Sequence, residues 1–412
     1  MRRAAEPGTQ PPESSLRIGF FTCNAPPLVN GLTISIERFG CHLRRLGHRV
    51  FLFGPRYPGY AETEPDVYRF ASLRAPTHHR YALPLPGLSG AVHRAIPRLG
   101  LQIIHAHHPF LVGPYARRLA RRMEIPFVFT YHTLYEHYAH YVPFASSLAA
   151  RIGEARSYRF ANEADLVVVP TEGVRARLLA HGVNTPVEVI PTGVDLPATP
   201  EEPKRGIRRR LGLSDDDLIL LYVGRLAREK NLALLLLAAR AALQEAPEVS
   251  LVLVGEGDEE RSLRQQVGHL GLSERVRFVG PVPHRAVGDW YRAGDLFVFP
   301  SVSETQGLVV LEAMAHGLPV VAIRSVGTSD FIEDGANGAL ADPSEGGFIR
   351  RLLGLLRDDA GRARYAELGR NRAMQFSAEV STRLLLAAYD RLLMRRAPRA
   401  AAAGSYPPDR PR

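Results

Sequence analysis

The hydrophobic and polar positions of the chain form a repeating pattern of short apolar runs followed by stretches with helical spacing. In the first half, apolar runs predict buried parallel strands at 17–22, 49–53, 103–108, 126–132 and 165–171. In the second half the runs recur at 218–223, 250–254, 276–279, 296–299 and 319–323. Helical spacing separates them, as at 33–46, 113–122 and 232–245. Repeated β-α units predict an α/β fold with two doubly wound parallel sheets in tandem.

The domain boundaries follow from changes in composition along the chain. Residues 1–15 and 397–412 are rich in Pro, Ala and Arg and are predicted to be disordered tails. We expect one domain over 16–195 and a second over 196–375, with a Pro- and Glu-rich linker at 196–204. A final helix is expected over 376–396.

The stretch 300–317 carries the chemistry most clearly. Pro300 ends the strand at 296–299, and a polar loop leads to Gly307, which opens an apolar helix that stops at Gly317. A strand, a loop and a helix start present free backbone N–H groups and a positive dipole to a phosphate. The carboxylates of Glu304 and Glu312 are placed to accept hydrogen bonds from hydroxyls attached to that phosphate. Sugar nucleotides carry such hydroxyls at both ends.

A second group of candidate residues follows the strand at 218–223. Gly224, Arg225 and Lys230 lie at a strand-to-helix turn, where Arg forks onto phosphate oxygens and Lys adds a point charge. The Gly-Glu-Gly turn around Glu256 ends the neighbouring strand, where a base and ribose could lie. Neither this turn nor the loop after the first strand has the Gly-x-Gly-x-x-Gly pattern, which counts against a dinucleotide dehydrogenase.

Polar residues also end the strands of the first half. Gly31 lies beyond the first strand, where a residue without a Cβ allows a ligand to approach the backbone, although a loop Gly with an unusual dihedral angle is the alternative. Four histidines fall at strand ends: His105, His107, His108 and His132. Strand alternation sends His107 and His108 to opposite faces, so polar contacts to a substrate are favoured over a metal site.

Charge is unevenly distributed between the two halves. Residues 1–195 hold 22 Arg against 14 acidic residues, so they carry +8 of the net +10. An anionic membrane surface, a nucleic acid, an acidic substrate or a solvated basic face would each account for this. Residues 78–99 mix apolar and basic groups, as a surface-lying membrane segment or an ordinary loop and helix would. Tyr135, Tyr138 and Tyr141 form an aromatic stripe if helical, suited to an acceptor surface or to a half-buried helix.

Other features exclude function classes. No apolar run reaches 18 residues, so no membrane-spanning helix is expected. Cys23 and Cys41 form no disulfide framework and are expected to be buried in a protein of a reducing compartment. The triplet at 215–217 contains Asp-x-Asp, a divalent-metal pattern, but it precedes a strand and is expected to be a solvated turn.

Together these motifs resemble the family-4 retaining glycosyltransferases, whose GT-B fold has two Rossmann-like domains facing a cleft. The resemblance covers about 16–395 and is carried by Gly224-Arg225 with Lys230-Asn231, by Val254-Gly-Glu-Gly257, and by the pair Glu304 and Glu312. Within that family, Asn30-Gly31, His107-His-Pro-Phe110, the segment 130–138 and Ser303-Glu-Thr-Gln-Gly307 look like the bacterial diacylglycerol glucosyltransferases. Phe376-Ser377 resembles the start of the helix that crosses back to the first domain, with Glu379 where a Trp is frequent.

The resemblance implies a role for each matching position. The first domain would lie on the acceptor side, and the second would bind the donor. Arg225 and Lys230 would hold the donor diphosphate, and His132 would contact the sugar near the reacting carbon. The remaining donor contacts would come from Gly31, Glu256, Glu304, Glu312 and the backbone of Gln306, Gly307 and Leu308. His132, Glu304, Arg225 and Lys230 are thus the expected catalytic residues.

The function expected from the resemblance is hexosyl transfer with retention, from UDP-glucose to a lipid such as diacylglycerol. Neither a metal nor another cofactor is expected, and the partners would be a nucleotide sugar, a lipid acceptor and an anionic membrane, not a nucleic acid. The enzyme would be cytoplasmic and attached peripherally to the inner face of the membrane. A mannosyltransferase using GDP-mannose with an inositol-lipid or saccharide acceptor is the alternative within the fold. A nucleotide-sugar epimerase is the alternative from another class.

Overall fold

The computed structural model describes residues 15–75, 81–134, 147–197 and 204–402. The strands of the first domain are β1 Arg17–Phe21, β2 Arg49–Pro55, β3 Val67–Phe70, β4 Ser72–Arg74, β5 Ala82–Pro84, β6 Ile103–Ala106, β7 Phe127–Thr130, β8 Leu166–Val169 and β9 Val187–Val189. Its helices are α1 Gly31–Arg45, α2 Gly90–Ala95, α3 Val112–Arg122, α4 Ser147–Ala161 and α5 Glu172–Ala180.

The second domain repeats this alternation. Its strands are β10 Leu218–Val223, β11 Val249–Val254, β12 Val276–Gly280, β13 Leu296–Phe299, β14 Val320–Ile323 and β15 Ala339–Ala341. The helices that follow the linker are α6 Lys204–Arg210, α7 Leu232–Glu245, α8 Glu260–His269, α9 Val287–Ala293, α10 Leu308–Ala315, α11 Glu345–Leu356, α12 Asp359–Met374 and α13 Ala378–Ala402.

Both main sheets are parallel throughout and doubly wound. The first has the order β3-β2-β1-β6-β7-β8-β9 and the second the order β12-β11-β10-β13-β14-β15, while β4 and β5 form a separate antiparallel hairpin. The predicted α/β class with two Rossmann-like sheets is therefore confirmed. The strand order reverses between β1 and β6 and between β10 and β13. Ligands of such sheets bind in the crevice that opens at this reversal, outside the carboxyl ends of the strands.

The predicted strands extend beyond the observed ones at their carboxyl ends. The run predicted at 103–108 pairs only as far as Ala106, and the run at 126–132 only as far as Thr130. The polar residues that end these runs therefore lie in loops at the crevice rather than in the ladder. The short strands β3, β9 and β15 were not predicted as strands. Each lies at or near a sheet edge, where a run of three or four residues gives little periodic signal.

Two chain crossings join the domains and pair with each other. In the structure, the name linker is used for the described segment that leaves the first domain, residues 191–197, and α13 returns to the first domain. Val194 bridges Ser377, because its N–H donates to the Phe376 carbonyl and its own carbonyl accepts from Ala378. Beyond this point α13 buries Leu385 and Tyr389 in the same core cluster as Ile36 and other residues of α1.

Candidate active site

The residues predicted to bind a donor converge where the second sheet reverses its strand order. β10 leads into the turn that carries Arg225 and Lys230, and its neighbour β13 leads into the loop at 301–307. Both loops leave the carboxyl edge of the sheet, so strand pairing alone places them side by side. The four residues of β13 are fully buried apolar side chains, which fixes where the loop begins.

Helix α10 begins without a side-chain cap at its N-terminus. Gly307 takes a left-handed conformation, with φ of 73°, which a residue with a side chain adopts only at a cost. No side chain caps the helix, and its first turn holds no acidic residue. The free N–H groups and the helix dipole therefore offer a favourable environment for an anion. This is the arrangement that the sequence predicted at Gly307 and Leu308.

Lys230 and Glu304 form an ion pair at this helix start. The Nζ of Lys230 lies 2.5 Å from Oε1 of Glu304, and both side chains are largely buried. The Ser301 hydroxyl donates to the same oxygen at 2.6 Å. Burial opposes the charged form of Glu304, but Lys230, Ser301 and the nearby Arg225 outweigh it and hold the pKa of Glu304 below its usual value. The carboxylate is therefore ionised at neutral pH.

The two predicted diphosphate cations each pair with a carboxylate in the structure. Arg225 pairs with Glu229, four residues later, and Lys230 pairs with Glu304 of the neighbouring loop. A bound diphosphate would have to share or replace these partners. The Arg225 side chain remains partly exposed, at 37%. Its guanidinium therefore has a solvent-facing side from which to reach a ligand.

Glu312, on α10, receives contacts from both domains. Arg38 of α1 donates to its Oε1 at 3.0 Å, and the Tyr291 hydroxyl donates to its Oε2 at 3.0 Å. Nε2 of His284 lies 3.8 Å away. Burial acts to raise the pKa of Glu312, but His284 and Arg38 together lower it below the usual value. The same contact raises the pKa of His284.

The histidines at the strand ends of the first domain form a buried stack. Nδ1 of His107 lies 3.0 Å from Nε2 of His132, and the rings of His105 and His107 stack at 4.5 Å. Behind them His105 bonds the Tyr389 hydroxyl of α13 and the Thr130 hydroxyl, each at 2.6 Å. Burial lowers the pKa of His107 and of His132 well below the usual value. Both are therefore neutral at physiological pH, and one donates to the other.

His108 makes a contact of its own, apart from the bonds within this stack. Its Nδ1 accepts from the Cys23 N–H at 3.0 Å, and burial lowers its pKa to about 4. Cys23 is only half-buried as a residue, but desolvation raises the pKa of its thiol to about 12, which disfavours the reactive thiolate.

The loop at 301–307 connects the donor-side residues to His132. The Thr305 hydroxyl donates to the main-chain carbonyl of His132 at 2.9 Å, and the Thr171 hydroxyl donates to the Thr305 carbonyl at 3.0 Å. The Gln306 side chain bonds the main chain of Thr192 in the linker. The structure therefore brings His132, Glu304, Lys230 and Arg225 to one crevice between the domains.

Gly31 and Glu256 follow strands of different domains: Gly31 begins the helix that comes after β1, and Glu256 lies in the loop that comes after β11. Gly31 is the first residue of α1, capped by the Asn30 side chain, and no atom lies within 4 Å of the place a Cβ would occupy. This open space leaves the Gly31 backbone approachable. The main-chain carbonyl of Glu256 accepts from the N–H of Leu226, which ties its loop to the Arg225 turn. The tyrosines of the predicted aromatic stripe lie outside the described residues.

Sequence reasoning missed the residues that reach the site from the other domain. Arg38 lies 274 positions from Glu312, and Thr192 lies 114 from Gln306. A buried Arg on the apolar face of α1 was the one available signal, because such a side chain needs a partner. For Thr192 and Tyr389 no local pattern predicts the contact.

The Asp triplet at 215–217 serves a structural role around a buried arginine. The Arg208 guanidinium donates to the carbonyls of Ser214, Asp215 and Asp217 and pairs with Asp295 at 2.5 Å. Across the described residues, no group of three or more His, Cys, Asp or Glu is arranged to hold a metal ion.

Comparison with known families shows matches along most of the chain. Residues 29–197 match the model described as Glycosyltransferase Family 4, and residues 203–372 match that described as Glycosyl transferases group 1. The alpha-monoglucosyldiacylglycerol synthase of Streptococcus pneumoniae is 33% identical over 79% of this chain and 75% of its own length. The D-inositol 3-phosphate glycosyltransferase of Frankia alni is 33% identical over 87% of this chain and 94% of its own.

The solved structures agree on the fold. The crystal structure of Anabaena HepE in complex with UDP-glucose superposes with a TM-score of 0.71 at 22% identity. The superposition covers 90% of this chain and 99% of the Anabaena protein.

Proposed function

This chain belongs to the family-4 glycosyltransferases with the GT-B fold, and we propose that it transfers glucose from UDP-glucose to diacylglycerol at a membrane surface, with retention of configuration. The observation that carries the proposal is the convergence of Lys230, Glu304 and the uncapped start of α10 around a loop that is bonded to His132 of the first domain. The synthase from Streptococcus pneumoniae supports the choice of acceptor and sugar, and the Anabaena complex supports the choice of donor.

Each part of the donor is proposed to contact a particular group in the crevice. The start of α10, Lys230 and Arg225 would bind the diphosphate and stabilise its charge as it leaves. Glu312 is ionised and would accept hydrogen bonds from the ribose hydroxyls, while Glu304 would accept them from the sugar. Neutral His132 would donate to or accept from a sugar hydroxyl near the reacting carbon. The proposed roles use the charge states that the structure gives these groups.

Retention is proposed to proceed by attack from the face that the diphosphate leaves. A double displacement requires a carboxylate beneath the anomeric carbon. Among the first-domain residues that the structure describes, the groups acting electrostatically on His107 and His132 are other histidines. The acceptor oxygen would then attack as the diphosphate departs and would pass its proton to a diphosphate oxygen. The enzyme would contribute by charge stabilisation and by closure of the crevice.

A basic and apolar surface of the first domain supports the membrane part of the proposal. Leu83 and Leu88 are exposed, and Arg94 and Arg98 follow on the same segment and are also exposed. The segment is not a free amphipathic helix, because its Val92 and Ile96 are buried in the domain core. The proposed contact is therefore made by exposed leucines and arginines held on a folded surface. Across the described residues, no helix combines the length and hydrophobicity needed to cross a bilayer.

Transfer to an inositol phosphate is the second candidate. It is favoured by the D-inositol 3-phosphate glycosyltransferases of Frankia alni and other organisms, which match at similar identity. Both candidates use the same donor side and differ in the acceptor. A panel of acceptors therefore separates them, whereas donor-site mutations do not.

The experiment incubates the protein with UDP-glucose, GDP-mannose and other sugar nucleotides, each with diacylglycerol vesicles, inositol phosphate or no acceptor. Mass spectrometry identifies the product. The coupling constant of its anomeric proton, measured by nuclear magnetic resonance, shows whether the configuration of the donor sugar is retained. Lys230→Met is expected to lower transfer by about 100-fold or more. Lys204→Met is the matched control, because Lys204 is the only other lysine of the chain and pairs with Asp295 at the surface.

Three results would count against the proposal. Near-normal transfer by both Lys230→Met and Arg225→Ala would remove the donor-binding argument. Glucosylation of inositol phosphate but not of diacylglycerol would favour the second candidate. Conversion of one nucleotide sugar into another without acceptor would indicate an epimerase.

A further inference from the structure

The side chain of Gln306 makes a two-point contact with the linker between the domains. Its Oε1 accepts from the N–H of Thr192 at 3.0 Å, and its Nε2 donates to the carbonyl of the same residue at 2.6 Å. Gln306 is 5% exposed and Thr192 is 5% exposed, so water does not compete for these bonds. The Gln306 amide thus bonds the N–H and the carbonyl of Thr192 in the way that a residue of a neighbouring β-strand would.

Thr192 lies two residues before the point where the two crossings pair. Its hydroxyl lies 2.6 Å from the Ser35 hydroxyl, which attaches it to α1 of the first domain. Two residues later, Val194 bridges Ser377 on the returning chain. Any rotation of one domain against the other must therefore pass through the segment that Gln306 holds.

Gln306 is also part of the donor side of the crevice. It immediately precedes Gly307, the residue that starts α10, and follows Thr305, whose hydroxyl bonds the His132 carbonyl. The loop is thus bonded to three residues outside the second domain: to His132 and Thr171 through Thr305, and to Thr192 through Gln306. A shift of the α10 start relative to the linker must break both Gln306 bonds.

Only a neutral amide satisfies both groups of Thr192. A carboxylate accepts from the N–H but cannot donate to the carbonyl, and it would face that carbonyl across about 3 Å with no proton between them. Alanine leaves both main-chain groups unpaired in a buried place. The chemical identity of Gln306, and not its volume alone, is therefore required by the contact.

We infer that Gln306 is a positioning residue that couples the donor loop to the linker and so sets the angle between the domains. The donor assigned to the loop rests on the proposed function, but the coupling itself is a property of the structure. When the donor loop moves, Gln306 transmits the movement to Thr192. Loss of the amide then leaves donor binding to the second domain largely intact and impairs the closed arrangement in which transfer occurs.

The test measures the distance between the domains in the full chain without ligand. Spin labels are attached to cysteines introduced at the exposed positions Arg118 on α3 and Arg240 on α7, and Cys23→Ser and Cys41→Ser remove the two half-exposed native thiols. Double electron–electron resonance spectroscopy gives the distribution of distances between the two labels for the wild type, Gln306→Glu, Gln306→Ala and Gln244→Glu. The last is the matched control, because Gln244 is exposed on α7 and undergoes the same change of charge.

Both Gln306 variants are expected to give a broader or shifted distribution, and Gln244→Glu is expected to keep that of the wild type. The activity readout adds a second criterion: transfer falls about tenfold or more, as loss of a buried hydrogen-bond pair would cause, while the Kd for UDP stays within about threefold. A residue that only stabilised the fold would lower the unfolding midpoint and leave the distribution unchanged below it.

The inference is overturned if either Gln306 variant that folds gives the same distribution as Gln244→Glu. The alanine variant keeps the test available if the charge of the glutamate variant prevents folding. Failure of the proposed function would look different. In that case the wild type would form no glucosyl diacylglycerol, and the distance measurement would still decide the role of Gln306.

Discussion

Replacing Arg38 by Met should reveal how strongly the two domains are held together through Glu312. The guanidinium is 5% exposed and donates to Glu312 at 3.0 Å, to the Gly193 carbonyl at 2.6 Å and to Asp195 at 3.1 Å. Met keeps most of the apolar stem and removes the charge and every donor. The carboxylate of Glu312, itself 12% exposed, then loses its closest cation.

The magnitude follows from this geometry. Two unit charges 3 Å apart attract by about 5 kcal/mol at an effective dielectric constant of about 20. Removing one partner of a buried pair costs about 3–5 kcal/mol. His284 remains 3.8 Å from the same carboxylate and offsets part of the loss, while Asp195 is half-exposed and contributes little. We therefore expect Arg38→Met to lower the free energy of unfolding by about 3 kcal/mol.

The change in the free energy of unfolding is measured by urea unfolding at pH 7.5, with circular dichroism and the fluorescence of Trp290 as the two probes. Trp290 is the single Trp of the chain and is buried in α9 of the second domain. Coincident transitions by the two probes show that one unfolding free energy describes the protein. Arg383→Met is the control, because Arg383 pairs with Glu379 at the surface and should cost less than about 1 kcal/mol.

A double-mutant cycle isolates the pair itself. Adding Glu312→Gln to Arg38→Met removes the uncompensated charge and should recover about 2 kcal/mol relative to the sum of the single changes. The reasoning fails if Arg38→Met costs less than about 1 kcal/mol. It also fails if the two changes add without interaction, because the pair would then not bind the domains through its charge.

Two further predictions concern the histidine stack and the chain crossing. Burial lowers the pKa of His105 from 6.5 to about 3 and that of His108 to about 4, and it also lowers the pKa of His107 and of His132. Below pH 6.5 the unfolded chain therefore binds protons at these histidines that the folded chain excludes. The neutral histidines make their full contribution to the free energy of unfolding above pH 6.5. This contribution should be lost as the pH falls towards 4, by up to about 1.4 kcal/mol per pH unit for each histidine. Equal urea midpoints at pH 7 and pH 5 would contradict this prediction. Gly193→Ala should destabilise the protein by about 2 kcal/mol, because a Cβ there would lie 2.4 Å from the Ser377 carbonyl oxygen, whereas Gly354→Ala on α11 meets no atom within 4 Å and should not lower the thermal midpoint. A Gly193→Ala midpoint equal to that of the wild type would show that the two crossings can separate freely.

The local pattern of the chain determined the fold class and the edge of the sheet at which the site lies. Runs such as Leu296–Phe299 are apolar throughout because both faces of a parallel strand are covered, and this makes them visible in the sequence. Polar loops that follow such runs must lie at the carboxyl edge, so Glu304 and Arg225 could be placed together before any coordinates were known. Gly307 marked the start of α10, because the chain needs a left-handed residue there.

The tertiary structure alone decided which charges pair and how the domains are joined. The motif suggested cations reserved for phosphate, yet Lys230 is bonded to Glu304 and Arg225 to Glu229. Arg38 reaches Glu312 and Gln306 reaches Thr192 only because one particular angle between the domains brings them together. Periodicity describes how a segment buries its own face, and it carries no information about a partner more than a hundred residues away. Such contacts depend on how the two domains pack against each other, and only the tertiary structure contains that information.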